Sequence, residues 1–437
     1  MLNLHIIDIG EGKRIVFFPK SFRFFVVSEE QAEQFADIAK HLENPTENAE
    51  SLYVKNDNYA MVENLLTETL LLEQGKFNQS ILPRLVLNIS NDCNLRCEYC
   101  YASGGNYSGK RQLMSLDTLE RTLDMFYSHF DEIEGIQLFG GEPSMNISAI
   151  QFVCEYVERI AGKTSIGIVT NGTILTDQLL DLINQYNIHV TISIDVDALH
   201  DIARPYASGR GSLQTIKNNI EKLKSIGQPG KLEVTYTQLH IDNGYSIHDV
   251  VALISEQYDI SNIHLAPVST SQAKYQLRNM DSFIASVDDF LENDALKTTP
   301  YSLLLTMITS LKTKQTNKYI CFAGFGTIAV SSDGKVYPCF YFCENNDFEY
   351  GSVFDSKEVF DAAILKMQEN YLRYNRFVKP ECQDCFAIGV CRGCLGDNYF
   401  ETGSEYTSSD NVCEMTRGMF EHVLINFAKM SSVPKEG

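Results

Sequence analysis

No stretch of the 437 residues approaches the run of ~20 apolar side chains that crossing a bilayer demands, so no membrane span is expected. Basic character is short as well: 36 Lys and Arg stand against 57 Asp and Glu, a formal charge of −21. A chain this negative repels phosphate, and the dedicated basic patch that nucleic acid would require is not visible. The opening MLNLHIIDIGEGK lacks the basic lead and long apolar stretch of a secretory signal, which makes a cytoplasmic location the expectation. Internal repeats and low-complexity tracts are missing too, and the nine histidines form no spaced ligand set and read as structural. What is present is ordinary globular composition, 44% hydrophobic and 21% charged, which excludes a disordered or fibrous chain. The length calls for about two to four domains of ~100–200 residues each.

Residues 1–78 read as a small α+β unit. Extended runs at 4–9, 14–18 and 22–27 are separated by Gly10-Glu11-Gly12 and Pro19-Lys20-Ser21, as a three-stranded meander requires. Ser28 and Gln31 have capping-box spacing before a helix running to about Leu42, and a second helical pattern covers 59–73. Within 82–270 the pattern becomes an alternation of strands and helices, the signature of parallel βα units. Apolar runs at 85–89, 136–139, 166–169, 190–194, 232–237 and 263–266 are fewer than a closed eight-fold barrel needs. A partial barrel or an open parallel sheet is implied, with the chemistry at the carboxyl ends of the strands. Residues 271–318 form a helical bridge. In 319–430 cysteines, glycines and aromatics crowd together with few long apolar stripes, so metal rather than core is expected to hold this segment.

Twelve cysteines need a reason in a chain read as cytoplasmic, since reducing compartments disfavour structural disulfides. Cys93, Cys97 and Cys100 form one cluster, Cys321, Cys339 and Cys343 a second, and Cys382, Cys385, Cys391, Cys394 and Cys413 a third. Cys154 stands apart in a helical pattern, where a buried free thiol acts as a small hydrophobe. The first cluster, C-x3-C-x2-C, directly follows the first strand of the alternating region. Three thiolates from one loop can hold three irons of a cubane and leave the fourth without a protein ligand. A structural zinc asks for four ligands, and no fourth Cys or His lies nearby in sequence. Gly140-Gly141-Glu142-Pro143 ends the second strand; glycines there let the backbone approach a ligand and the acid can accept from an ammonium, the alternative being a plain turn. Thr170-Asn171-Gly172 closes the third strand and Ser193-Ile194-Asp195 the fourth. Arg204 offers a fork suited to a carboxylate, with a surface ion pair as the plainer alternative.

The cysteine loop after the first strand, with Gly-Gly-Glu-Pro after the second, resembles the radical S-adenosylmethionine (radical SAM) family, and the likeness covers most of the chain. It implies a partial (β/α)6 barrel in which Cys93, Cys97 and Cys100 carry the catalytic [4Fe–4S] cluster. The open iron would chelate SAM, and its reductive cleavage would give a 5′-deoxyadenosyl radical. Tyr99 resembles the aromatic beside the adenine, and Gly140, Gly141 and Glu142 the motif that holds the methionine amino group. Asn171, Ser193, Asp195 and Arg204 are similarly placed to contact SAM.

Cys321, Cys339, Cys382, Cys385, Cys391, Cys394 and Cys413 resemble the SPASM domain, which carries two auxiliary [4Fe–4S] clusters and would bring the total to three. The family usually has three residues between the last two cysteines of its four-cysteine run; here there are two, Arg392 and Gly393. The family's crossed pattern implies one cluster on Cys321, Cys339 and Cys394 and another on Cys382, Cys385, Cys391 and Cys413. Cys343, reached through a short buried strand at 340–342, is expected to complete the first set. Residues 1–78 resemble a winged-helix-like recognition element that pairs a leader peptide to a sheet edge. Together these imply a maturase that cross-links a ribosomally made precursor peptide through a thioether or carbon–carbon bond. A low-potential donor such as flavodoxin or ferredoxin would serve it. An anaerobic sulfatase maturase is the alternative enzyme; against it stand the ~90 residues before Cys93 and Phe340, where such enzymes carry an acid. A non-catalytic metal-folded binding module leaves the two barrel motifs unexplained.

Overall fold

A computed structural model of the chain describes residues 4–43, 58–69, 71–72, 77–160, 162–292, 296 and 301–432. Strands β1 (His5–Asp8), β2 (Lys13–Phe18) and β3 (Arg23–Ser28) form an antiparallel meander, its first turn made possible by Gly10 and Gly12 at φ +79° and +69°. Helix α1 (Glu29–Glu43) starts with a reciprocal cap: Gln31 N–H donates to Ser28 Oγ at 3.2 Å while Ser28 N–H donates to Gln31 Oε1 at 3.1 Å. Helix α2 (Tyr59–Thr67) is shorter than the 59–73 pattern predicts. Glu68 turns extended, and Leu71–Leu72 pair in parallel with Gln315–Thr316, so a non-local strand partner overrides helical periodicity. The two faces of β2 enter two cores. Val16 and Phe18 pack under α1 and α2, whereas Ile15 and Phe17 join the main core.

Six parallel strands follow in chain order: β4 (Arg84–Ser90), β5 (Gly135–Gly140), β6 (Ser165–Thr170), β7 (His189–Ser193), β8 (Lys231–Tyr236) and β9 (Ile263–Pro267). Amphipathic helices α3 (Leu116–His129), α4 (Ile147–Arg159), α5 (Asp177–Tyr186), α6 (Asp197–Ala203), α7 (Leu213–Lys224), α8 (Gln238–Asp242) and α9 (Ile247–Tyr258) connect them. Cys154 is fully buried on α4, as predicted for a small hydrophobe. Helices α10 (Asp281–Glu292) and α11 (Ser302–Thr313) lead away from β9.

The sheet does not end at β4. Strand β10 (Thr327–Val330) pairs with β4 in parallel, Thr327 opposite Arg84 and Val330 opposite Leu87, and β11 (Lys335–Tyr337) and β12 (Gly351–Ser352) extend it antiparallel. Helices α12 (Lys357–Leu372), α13 (Leu395–Thr402) and α14 (Asp410–Ser432) cover this end. The expectation of a metal-held segment without much core is corrected here. Ile328, Val330, Val336, Phe360, Ile364, Met367, Met419, Phe420 and Leu424 are buried in one core continuous with the barrel. They are shared between two short strands and the two helices α12 and α14, separated by irregular cysteine-rich segments that hid the common core. Residues 340–342 form a 3-10 turn rather than the predicted strand. The N-terminal unit docks on α14, where Phe420 lies 5.3 Å from Phe17 and 5.7 Å from Phe22, and the His5 ring stacks on Phe386 at 3.7 Å.

Candidate functional site

Every predicted site residue of the barrel except Arg204 lies at the carboxyl end of a strand or on the loop that follows it, and Arg204 caps the end of α6 after β7. Cys93, Cys97 and Cys100 sit on the loop after β4, which is locked to the tip of β5. Gly141 N–H donates to Ser90 O and Glu142 N–H to Asp92 O, both at 2.7 Å. A Cβ on Gly140, at φ +136°, would lie 2.2 Å from Ser90 O, and one on Gly141 2.3 Å from Asp92 O. Backbone meets backbone, so no side chain could yield. The Glu142 carboxylate is fully buried and consumed internally. Oε1 accepts from Ser144 N–H (3.0 Å), Ser144 Oγ (2.6 Å) and Thr170 Oγ1 (2.6 Å), and Oε2 from Asn171 N–H (2.7 Å). Asn171 in turn donates through Nδ2 to Cys93 Sγ at 3.6 Å and Asn94 Oδ1 at 2.9 Å. Glu142 and Asn171 thus organise the cysteine loop. Burial pushes the Cys93 thiol up to about 12, with the nearby charges of Glu142, Cys97 and Cys100 adding to the rise. Cys93 and Cys97, both raised by burial, need a cationic partner to be held as thiolates.

Beside them lies a second group. Arg204 is 6% exposed, which removes the surface ion-pair alternative. Its Nη1 donates to Tyr99 Oη at 2.9 Å. Burial opposes its charge, but Tyr99, Cys97 and Asp195 outweigh that and raise its pKa. The Tyr99 ring packs edge-on against Tyr275 at 5.6 Å. Ser193 is the last residue of β7, and Asp195 follows two positions on with 1% exposure. His240, from α8, donates to Asp195 Oδ1 at 2.7 Å. Asp195 Oδ2 and Arg204 Nε are buried without a hydrogen-bond partner among the described residues, a pairing of acceptor and donor that suits a polar ligand. A cavity of about 430 Å³ opens alongside, lined by Cys97, Cys100, Tyr101, Thr270, Gln272 and Phe400 among others.

The remaining thiols form two sets. Cys394 is raised first by burial, then by Asp397, Cys339 and Cys321; Cys339 is pushed up to about 12 by burial, with Cys321 adding to the rise. Cys391, pushed up to about 11 by burial, feels Cys413, Cys385 and Cys382. Cys321, Cys339 and Cys394 thus neighbour one another, as do Cys382, Cys385, Cys391 and Cys413. Cys343, 3% exposed, is raised by burial, then Cys339, Glu344 and Asp333. The surroundings differ in sign: Asp397 lies against the first set, whereas Arg376, Lys379 and Arg417 act on Cys391, Cys382 and Cys413. Among the described residues no three Cys, His, Asp or Glu groups converge tightly enough for a single ion, as zinc with ~2.3 Å bonds to thiolate would need. Wider spacing suits a cluster, in which each thiolate holds its own iron.

Residues 87–256 match the radical SAM superfamily, and residues 321–386 match the SPASM iron–sulfur cluster-binding domain. Residues 87–256 are thus a radical SAM domain. This radical SAM enzyme is 23% identical over 364 residues to the radical SAM cyclopropyl synthase TigE of Paramaledivibacter caminithermalis, covering 77% of this chain and 73% of that one. It is 25% identical over 386 residues to a cysteine-type anaerobic sulfatase-maturating enzyme of Clostridium novyi, covering 81% and 97%. Its fold superposes on Streptococcus suis SuiB, solved bound to the precursor peptide SuiA, with a TM-score of 0.54 at 17% identity over 94% of this chain and 98% of that chain. SAM and iron–sulfur clusters are therefore its cofactors. The donor set and the orphaned Asp195 and Arg204 atoms fit them. Sequence reasoning treated the histidines of this radical SAM enzyme as structural and so missed His240, whose 45-residue separation from Asp195 left no local signal. Among the described residues no helix is long and apolar enough to cross a membrane.

Proposed function

We propose that the protein is a cytoplasmic maturase that cross-links a ribosomally made precursor peptide, using three [4Fe–4S] clusters. The observation that carries this reading is an open three-thiol loop whose Cys97 and Cys100 line a cavity, with the unpartnered polar atoms of Asp195 and Arg204 near Cys97; a further seven thiols stand in two sets. Cys93, Cys97 and Cys100 hold the first cluster, which with bound SAM supplies a 5′-deoxyadenosyl radical. Gly140, Gly141, Glu142 and Asn171 fix that loop, Tyr99 flanks the adenosyl group, and Ser193, Asp195 and Arg204 take polar atoms of SAM. Cys321, Cys339 and Cys394 hold the second cluster, and Cys382, Cys385, Cys391 and Cys413 the third. Cys343 lies beside Cys339 and completes the ligand set of the second cluster.

A peptide substrate is supported by the relatives, since TigE is named a cyclopropyl synthase and SuiB was solved with a precursor peptide. The meander of residues 1–78 acts as the winged-helix-like recognition element. Neither β1 nor β3 has a second strand partner among the described residues, which leaves an edge for a leader to pair with. A flavodoxin or ferredoxin supplies the low-potential electron. Sulfatase-maturase chemistry is the second reading, favoured by the 97% coverage of that relative.

The deciding experiment reconstitutes the protein anaerobically and incubates it with SAM, a reductant and either a candidate precursor encoded beside its gene or a sulfatase-derived Ser/Cys peptide. About 12 irons per chain, 5′-deoxyadenosine and a two-hydrogen mass loss confined to the precursor are expected. Formylglycine in the sulfatase peptide would overturn the cross-linking reading in favour of the second, and zinc without sulfide would overturn both.

A further inference from the structure

We propose that His240 is a positioning residue that occupies one oxygen of Asp195 and thereby reserves the other for a hydroxyl of the adenosyl ligand. The inference rests on reading this pocket as the SAM site. His240 is fully buried, and its Nδ1 accepts from Thr237 N–H at 3.1 Å. The ring hydrogen is therefore on Nε2, which donates to Asp195 Oδ1 at 2.7 Å. Oδ1 also accepts from Val196 N–H at 2.8 Å, so its two lone pairs are taken. Oδ2 is left buried and unpartnered, and an ionised carboxylate oxygen can only accept. Its complement is a hydroxyl or ammonium donor, and the adenosyl moiety presents a vicinal diol.

A carboxylate torsion is broad, so the Asp195 plane needs anchors. The Val196 N–H supplies one from the backbone and His240 the other from a side chain; the plane of His240 is itself held by the Tyr236 ring, 4.8 Å away and 24° from parallel. A second histidine fixes the backbone instead. Asp195 N–H donates to His200 Nδ1 at 3.2 Å, His200 Nε2 meets Ser212 Oγ at 3.1 Å, and Ser212 Oγ donates to Arg204 O at 2.7 Å. This chain ties Asp195 to Arg204 but does not touch the carboxylate, so His240 is the side chain that orients it.

The test compares His240→Leu, which fills the space without a donor, with His240→Gln, whose amide N–H reaches about as far as Nε2. Affinities for SAM and for its 2′-deoxy and 3′-deoxy analogues are measured by calorimetry on the anaerobically reconstituted protein, with iron content and melting temperature as controls. Wild-type protein should prefer SAM to one of the deoxy analogues. His240→Leu should weaken SAM binding about tenfold, as loss of one charge-assisted contact would, and erase the preference, while His240→Gln retains most of both. In an Asp195→Asn background His240→Leu should cost nothing further, because the pair acts as one unit. Undiminished affinity and preference in His240→Leu, or equal losses with and without Asp195, would make His240 a core residue and overturn the inference while leaving the SAM site standing. Failure of the wild-type protein to bind SAM would overturn both.

Discussion

Replacing Glu142 tests whether the cysteine loop is held from below by a single carboxylate. In Glu142→Ala the Ser144 N–H and hydroxyl, the Thr170 hydroxyl and the Asn171 N–H all lose their acceptor at a position with 0% exposure. A buried donor left unpaired costs about 1–3 kcal/mol. The Ser and Thr hydroxyls can rotate to other acceptors, so the two backbone N–H groups dominate, and with the lost contacts a destabilisation of about 3–5 kcal/mol is expected. Glu142→Gln keeps one oxygen and turns an NH2 toward either Asn171 N–H or the Ser144 and Thr170 donors, costing about 1–3 kcal/mol. Urea unfolding of the metal-free protein, followed by circular dichroism, measures both. Because the Glu142 carboxylate also holds Asn171, whose Nδ2 donates to Cys93 Sγ, the alanine variant should lose the radical-cluster iron, about four atoms, and keep the auxiliary iron. Wild-type unfolding midpoints and full iron in both variants would refute the idea that this carboxylate anchors the loop.

His200 is held down to about 3, chiefly by burial and then by the charges of Arg204 and Lys217. The unfolded state therefore takes up a proton near the usual 6.5 that the folded state refuses. Stability is complete above that pH and falls toward pH 3 by about 1.4 kcal/mol per unit. Between pH 7 and 5, His200→Gln should lose about 2 kcal/mol less than wild type in urea titrations; parallel losses would contradict the assignment. Cys343→Ala should lower the iron content or alter the EPR signal of one auxiliary cluster, whereas full iron with an unchanged spectrum would make Cys343 a core residue. The full-length enzyme should modify a leader-bearing precursor far faster than the leaderless core at equal concentration, as tethering requires. Equal rates would remove the recognition role from residues 1–78.

Local patterns carried the barrel well, because each of β4 to β9 is a short apolar run bounded by turn residues and each thiol spacing is a short-range property. The misses share a cause. Leu71–Leu72 continue a helical rhythm, yet their strand partner, Gln315–Thr316, is remote in sequence. The C-terminal core is assembled from β10, β11, α12 and α14, elements remote in sequence; the stripe of α12, Phe360, Ile364, Met367 and Tyr371, is visible locally, but its partners are not. Phe340–Phe342 read as a strand from aromatic content, but the turn from Cys339 to Cys343 winds them into a 3-10 helix. Glu142 was placed correctly at the strand tip and given a ligand-facing task; only the coordinates reveal that its oxygens serve Ser144, Thr170 and Asn171.

The pairing of β10 with β4 makes the C-terminal domain a stave of the same vessel as the radical loop. Backbone hydrogen bonds, not a linker, tie β10, in the hairpin that leads to Cys339, to β4, the strand that precedes Cys93. Access for a peptide must come from the loop after Cys100 and from Thr270–Gln272 at the cavity rim, because the two domains cannot swing apart without tearing a strand from the sheet. A chain truncated before residue 319 would bare the edge of β4, a long apolar strand prone to pairing with its neighbours, and would report on aggregation rather than on what the auxiliary clusters contribute.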